Sequence, residues 1–350
     1  MKKFWKNKRV LITGHTGFSG GWLSQTLILF GAKVIGISLK PNNKNYLYDL
    51  LYLKNRMKSY ICDINNISKV KKIIKSEKPE IVFHLAAQSI VNKGYILPIK
   101  TFNTNILGTA KLLEAIKAVK SVRSLLIVTS DKCYQNNEKK IFFKENYNLG
   151  GDDPYSGSKA CQEIITNTYY KSYFNKKVGI ATARAGNIIG GADWAENRLM
   201  VDAVKAFKNK NKIDIRNPNS IRPWQFILDV LNGYLLLAKK MYVNPVKYSG
   251  SWNFGPDDNQ NEFSKVIDVI RKINKILKKP LLINIIKSKY NEKMNLFLNS
   301  NKSKKLLRWK KKENLDSSII LTINWYQHFF DKKNIKNFTN NQIKKYFNLK

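Results

Sequence analysis

Tyr155 and Lys159 stand four residues apart in Asp153-Pro154-Tyr155-Ser156-Gly157-Ser158-Lys159. Asp153 reads as a helix N-cap and Pro154 as the first helical residue, so the phenol and the amine share one helix face. An ammonium held near a phenol favours the phenolate and lowers its pKa from about 10. A phenol tuned this way can take a hydroxyl proton as hydride leaves for a nicotinamide. A second group, Thr129-Ser130-Asp131-Lys132-Cys133-Tyr134, follows an apolar run that reads as a fifth strand. Open α/β sheets place their chemistry at that carboxyl end. Ser130 can hydrogen-bond the same hydroxyl as Tyr155, while Asp131 and Lys132 set an acid and an amine beside it. The plainer alternative is a strand-end turn with an exposed ion pair.

Such chemistry needs a bound nicotinamide, and the start of the chain offers a seat. In Thr13-Gly14-His15-Thr16-Gly17-Phe18-Ser19-Gly20, glycines at 14, 17 and 20 lie between a strand pattern and a helix pattern. They permit a tight turn, close approach of backbone to a pyrophosphate, and close helix–sheet packing. The helix N-terminus adds N–H donors and partial positive charge. The acidic residue expected after the second strand is missing from Gly36-Ile37-Ser38-Leu39-Lys40. Asp63, with Ile64 beside it, is placed to accept from an adenine amino group, or to form a simple strand-end turn. Lys40 would equally suit a 2′-phosphate, so these residues leave NAD and NADP both open.

The elements that must position these groups alternate between strand and helix. Strand patterns cover Val10–Thr13, Lys33–Ile37, Ser59–Cys62, Ile81–Leu85, Ser124–Thr129 and Val178–Ala183. Helix patterns cover Gly20–Phe30, Ser68–Lys75, Thr101–Lys117 and Tyr155–Phe174, and later Phe226–Lys239 and Glu262–Ile276. Leu23, Leu27 and Phe30 form one apolar stripe expected to face the sheet. The alternation predicts an α/β fold, a doubly wound parallel sheet of Rossmann type with a smaller C-terminal substrate-binding lobe. Residues 1–185 are expected to bind the cofactor, with return segments near 226–256. Residues 186–350 are expected to bind substrate. Gly186–Pro223, rich in Gly, Asn, Pro and Arg, reads as ligand-gripping loop, and the tail from Asp331 reads as a frayed helix.

The formal net charge of +39 invites a nucleic-acid partner, yet only 9 of 63 basic residues are Arg. Lys, Asn and Ile are abundant throughout, so the charge reads as lysine on solvated faces, with no nucleic-acid site. The scarce arginines are more telling: Arg184, Arg198, Arg216 and Arg222 fall within 39 residues. Their planar forks match phosphate oxygens, so a diphosphate site is expected there. Asn187, Arg198, Arg216 and Arg222 are the candidates, whereas Arg184 at a strand end also suits a structural ion pair. Trp194 and Trp224 suit packing against sugar or base, or the core. Scattered Cys62, Cys133 and Cys161, and His15, His84 and His328, give neither a disulfide framework nor a metal site. No apolar run reaches the 18–20 or so residues of a membrane span. With no signal-peptide core at the start, a cytoplasmic location is expected.

These motifs resemble the extended short-chain dehydrogenase/reductase family, and within it the nucleotide-sugar 4,6-dehydratases. The resemblance runs through Gly14–Gly20, Phe83-His84-Leu85-Ala86-Ala87-Gln88, Asn103-Thr104-Asn105, Thr129–Tyr134, Tyr155–Lys159, Ala183–Asn187, Arg222-Pro223-Trp224 and Trp252–Pro256. Four stretches are similar to the branch acting on CDP-glucose: Gly14–Phe18, Ser130–Tyr134, Gly190–Trp194, and Arg216-Asn217-Pro218 leading to Ile221–Gln225. The dTDP-glucose and GDP-mannose branches typically carry an acidic pair where this chain has Asp131-Lys132.

The resemblance implies NAD as cofactor and CDP-glucose as substrate. It implies that Tyr155 removes the C4 proton, with Lys159 and Ser130 assisting, as hydride passes to NAD⁺. Asp131 then protonates the departing C6 hydroxyl, Lys132 takes the C5 proton, and hydride returns to C6. Leu85, Ala86, Ala87 and Asn105 join the glycine loop as expected cofactor contacts, and Gln88 is an expected substrate contact. A homodimer through Thr101–Lys117 and Tyr155–Phe174 is implied, as is a role in deoxysugar supply for surface polysaccharide such as lipopolysaccharide O-antigen. The rival readings are another dehydratase or a 4-epimerase of the same family, and an inactive NAD-binding regulator.

Overall fold

Apolar runs along the first half of the chain become strands, and all but the edge strand Lys58–Ile61 are buried on both faces, as a covered parallel sheet demands. They are β1 (Arg9–Thr13), β2 (Lys33–Ser38), β3 (Lys58–Ile61), β4 (Ile81–His84), β5 (Ser124–Val128) and β6 (Gly179–Ala185), joined by β7 (Gly250–Phe254) from the second half. In this computed structural model, which describes residues 1–41, 43–174, 176–256, 263–277 and 280–350, they pair in parallel in the order β7-β6-β5-β4-β1-β2-β3. β1 lies between β4 and β2, with Thr13 beside His84 on one side and Ile37 on the other. The strand order reverses at β1, and a crevice opens at the carboxyl ends of β1 and β4. This is the doubly wound arrangement expected from the sequence.

Helices cover both faces. One face carries α1 (Phe18–Leu29), and the other carries α2 (Ile67–Glu77), α3 (Gly108–Lys117) and α4 (Pro154–Tyr173). Beyond the sheet come α5 (Leu199–Asn209), α6 (Ile227–Val243), α7 (Val266–Leu277), α8 (Leu315–Phe330) and α9 (Ile335–Phe347). Helix α6 packs on the same face as α1, whereas α5, α7 and α8 enclose a separate core around Ile270, Ile319 and Ile323.

Three local expectations need correcting. Helix α1 is buried continuously from Gly20 to Leu27, beyond the expected stripe, because α6, the 47–55 segment and α9 all pack against it. Gln25 there bonds Asn340, and Phe30 meets the ring of Phe347 edge-on. The continuous helix expected over Thr101–Lys117 is instead Pro98–Phe102, then a π-helical turn over Asn103–Leu107, then α3. The wider turn leaves average periodicity almost unchanged, so the pattern conceals it. The expected loop Gly186–Pro223 contains α5, whose Met200, Val201, Ala203, Val204 and Ala206 are buried. The predicted helix start at Glu262 lies outside the described residues.

Candidate active site

The glycine loop closes over the carboxyl end of β1. Gly14 has φ +77°, and a Cβ there would stand 2.9 Å from the Ala86 nitrogen. At Gly20 a Cβ would approach the Gly14 carbonyl oxygen to 2.1 Å, so helix and turn touch only because both residues lack side chains. Gly17 differs: a Cβ there would meet nothing closer than 3.5 Å. Gly17 is the N-cap of α1 and offers no side-chain cap, so the first N–H groups of α1 border the crevice without one. A backbone left bare where the protein itself has room fits an approaching pyrophosphate.

Those glycines line a cavity of about 610 Å³ that also reaches Asp63, Ile64, Leu85, Ala86 and Ala87. Asp63 lies on its wall, and its Oδ1 also accepts from the Asn65 N–H at 2.8 Å, so the turn-forming alternative holds as well. At the end of β2, Ser38 also lines the cavity and bonds Thr16 at 2.8 Å. His15 is buried beside it, 2.7 Å from Ser59 Oγ, and burial brings its imidazole down to about 4. The ring fits because Gly36 is bare: a Cβ there would stand 2.4 Å from it.

On the opposite wall stand Ser130, Asp131, Lys132, Tyr155 and Lys159. Asp153 caps α4 as expected, accepting from the Tyr155 and Ser156 N–H groups at 2.9 and 3.0 Å. Lys159 comes onto the same side as Tyr155, its Nζ 6.0 Å from the phenol ring centroid. The phenol is not depressed as expected. Burial pushes Tyr155 up to about 12, against the opposing effects of Ser130 and Arg198. The Lys159 ammonium donates to Val128 O at 3.1 Å and Gln162 Oε1 at 2.9 Å, not to the phenol. Burial lowers Lys159 itself to about 8.

Asp131 is fully enclosed, and burial raises its carboxyl despite Lys132 and Arg222 nearby. Its Oδ1 accepts from Ser130 Oγ at 2.9 Å, while Oδ2 has no partner. Gly186 makes room for it, since a Cβ there would lie 2.9 Å from Oδ2 and 2.1 Å from Pro223 Cγ. A buried carboxyl that favours its neutral form is suited to giving up a proton.

The structure adds one residue that sequence reading missed. Glu292 enters the cavity from the segment after residue 287, and its Oε1 lies 2.5 Å from Lys132 Nζ and 3.4 Å from Arg222 Nη2. Burial works to raise the Glu292 carboxyl, yet the two cations bring it down to about 2. No motif marks Glu292. It reaches the site through Tyr290, stacked on Tyr95 at 4.5 Å, and Lys293, paired with Asp152.

Among the expected substrate contacts, Asn187, Arg198, Arg216 and Arg222 line the cavity. Arg198 spans toward Ser89 O and Asp193, and Arg216 bonds Asn197. Arg184 does not reach it: buried beneath, it pairs with Glu163 at 2.8 Å and bonds Tyr134 and Ser251. Gln88 and Asn105 stand behind the wall. Gln88 donates to Thr101 Oγ1 and accepts from the Ile90 N–H, which ties its amide to neighbouring backbone and side chain. Asn105, set inward by the π-helical turn, ties both backbone groups of Gln88 to Ser158 on α4. Both brace the site instead of facing it. Trp224 lines the cavity, whereas Trp194 is core, bonded to Asn45 O and packed on Tyr326.

Comparison with known proteins agrees with this geometry. Residues 11–321 match the family described as GDP-mannose 4,6 dehydratase. The CDP-glucose 4,6-dehydratase of Salmonella typhimurium is 45% identical over 275 residues, 77% of this chain and 76% of that protein. The UDP-glucose 4-epimerase of Mycoplasma genitalium is 24% identical across 92% of this chain and 97% of that one. Among solved structures, epimerase Mth375 of Methanothermobacter thermautotrophicus superposes with TM-score 0.82 at 22% identity, covering 96% of each chain. The dTDP-glucose 4,6-dehydratase of Bacillus anthracis in complex with NAD gives 0.80 at 21%, over 93% of this chain and 98% of that one. Likeness at that identity shows the fold alone. The profile match and the 45% relative show more: the chain belongs to the GDP-mannose 4,6 dehydratase family, within the extended short-chain dehydrogenase/reductases.

Proposed function

We propose that this protein is an NAD-dependent dehydratase converting CDP-glucose to CDP-4-keto-6-deoxyglucose. The observation that carries the reaction type is Asp131, a carboxyl whose hold on its proton burial strengthens, in one cavity with the Tyr155 phenol and the glycine loop. Oxidation at C4 needs no such acid, but expelling the C6 hydroxyl as water does. The choice of CDP-glucose rests on the likeness to the Salmonella enzyme and on the Asp131-Lys132 pair.

In this reading residues 1–185 carry the cofactor and residues 186–350 mainly the sugar nucleotide. Gly14, Thr16, Gly17, Phe18 and Gly20 receive the pyrophosphate, and Asp63, Ile64 and Leu85–Ala87 border the adenosine and nicotinamide halves. When bound, NAD supplies a hydride acceptor that later gives the hydride back. Tyr155 takes the C4 hydroxyl proton, helped by Ser130 and by the charge of Lys159. Asp131 delivers its proton to the C6 oxygen, and water leaves. Lys132 takes the C5 proton and returns one there at the end. An ammonium has no lone pair to offer, so Lys132 must first lose a proton to solvent, and the Glu292 carboxylate 2.5 Å away opposes that loss by stabilising the charge.

The same reading makes the protein a cytoplasmic homodimer feeding deoxysugars to surface polysaccharide. Among the described residues no helix is long and apolar enough to cross a membrane. Exposed Ile99 and Leu107 flank α4, which exposes Ile164, giving a second copy an apolar face to cover. The test is mass spectrometry after incubation with CDP-glucose, dTDP-glucose, UDP-glucose and GDP-mannose in parallel. Loss of one water from CDP-glucose alone is expected; a product of unchanged mass epimerised at C4, or no turnover with any of them, overturns the reading.

A further inference from the structure

A closed hydrogen-bond chain runs behind the site, and counting its protons leaves one arrangement. Lys159 can only donate, so Gln162 must turn Oε1 toward it and Nε2 toward Thr109 Oγ1, 2.7 Å away. The Thr109 hydroxyl gives its own proton to Asn105 O at 2.7 Å. Its oxygen therefore only accepts, and His84 Nε2, 2.9 Å away, must carry a hydrogen. At the other edge of the ring, Thr13 Oγ1 lies 2.7 Å from His84 Nδ1. That oxygen accepts from the Ala86 N–H at 3.1 Å and shares the Leu85 N–H, 3.2 Å away, with the Thr13 carbonyl at 3.1 Å. With two N–H groups already directed at Oγ1, the arrangement in which Thr13 gives its own proton to Nδ1 is the one that leaves every donor an acceptor. A protonated His84 would have nowhere to direct its second N–H. Its burial and the nearby Lys159 charge bring the ring to about 3, in keeping with that count.

All these side chains are buried, where an apolar set of similar volume would cost less. One end of the chain is the turn holding Leu85 and Ala86 on the cavity wall; the other is Lys159. With Val128 O and Gln162 Oε1 each taking one N–H, the third N–H of Lys159 is left to face the cavity.

We propose that Gln162 and His84 are positioning residues that aim the Lys159 ammonium and keep it charged, coupling it to the backbone turn on which the nicotinamide cofactor rests. The inference rests on Tyr155 and Lys159 being the catalytic pair. Other charged or titratable groups facing Lys159 are Tyr155 and Glu163 from α4, Cys133 from the turn after β5, and His84 from β4.

The primary readout needs no sugar substrate. In protein carrying ¹³C-labelled lysine, the Lys159 resonance is assigned with Lys159→Met and titrated with pH. Gln162→Met removes the acceptor at nearly constant volume, and the Lys159 midpoint is expected to fall by about one pH unit or more. Gln162→Glu places an anion there and is expected to raise it. His84→Leu is expected to lower it by less than Gln162→Met, and His84→Gln, which keeps a donor for Thr109, to restore it. The alkaline limb of kcat for the dehydration should move with each midpoint while KM changes less than about twofold. A midpoint unmoved in both Gln162 variants, with only Tm lowered, overturns the proposal. If Gln162→Met does not fold, an unmoved midpoint in Gln162→Glu does so alone. Absence of turnover in wild type, with the midpoints shifting as stated, would count against the CDP-glucose reading instead.

Discussion

Asp131 joins an energetic cost to a chemical use. Burial raises its carboxyl, so the folded state favours the protonated form. Stability from that preference is complete below the unfolded carboxylate range and is lost as pH rises through the folded value. Asn keeps the neutral shape at every pH, so Asp131→Asn is expected to match or exceed wild-type Tm at about pH 8, with the gap closing toward about pH 4. The same variant should lose dehydration about 10²-fold or more while still oxidising C4, seen as reduced cofactor without loss of water. Glu292→Gln tests the neighbouring pair. With no carboxylate 2.5 Å from Lys132, exchange of the C5 proton with solvent should run at least as fast as in wild type, and Lys132→Ala should abolish it. Exchange lost in Glu292→Gln and kept in Lys132→Ala would move the base from Lys132 to Glu292.

The glycine loop and α1 separate two reasons for the same residue type. At Gly20 the constraint is internal: a Cβ 2.1 Å from the Gly14 oxygen must displace backbone. At Gly17 the protein leaves room, and only a ligand close to the backbone would object. Gly20→Ala is therefore expected to lower Tm by several degrees. Gly17→Ala should melt as wild type does and bind NAD about tenfold more weakly, read by fluorescence titration. Equal effects of the two substitutions on Tm would reject the distinction. Elsewhere the π-helical turn at Asn103–Leu107 is the element that turns Asn105 onto both Gln88 and Ser158. Asn105 therefore braces the site by means of a helix that a regular i,i+4 ladder would not produce.

At the scale of the whole molecule, the apolar face around Ile99 and Ile164 carries the assembly prediction. Ile99 is 78% and Ile164 54% exposed, and both flank the layer formed by the 98–107 segment and α4. Ile164→Lys is expected to shift sedimentation from dimer toward monomer, and wild type sedimenting as a monomer would dismiss the dimer outright. The charge of +39 opposes association at low ionic strength, so the dimer should strengthen with added salt.

Local order was largely legible in the sequence because it is set by short-range rules. Alternating apolar periods named the first six strands of the sheet to within about two residues, the Gly14–Gly20 spacing named the turn, and Asp153-Pro154 named the start of α4. The residues gathered in the cavity from β1, β5 and α4 were visible for the same reason, each sitting at an element end that pattern alone locates. Long-range packing decided the rest. Helix α6, the 47–55 segment and α9 together buried α1 beyond its stripe, and the segment after residue 287 carried Glu292 to Lys132 across 160 positions. Burial, not spacing, set the resting state of Tyr155: the i+4 amine was where the pattern put it, but desolvation and the competing acceptors Gln162 and Val128 determined what its charge could do. Periodicity reports which face a residue occupies; solvation and partner choice exist only once distant segments have closed around it.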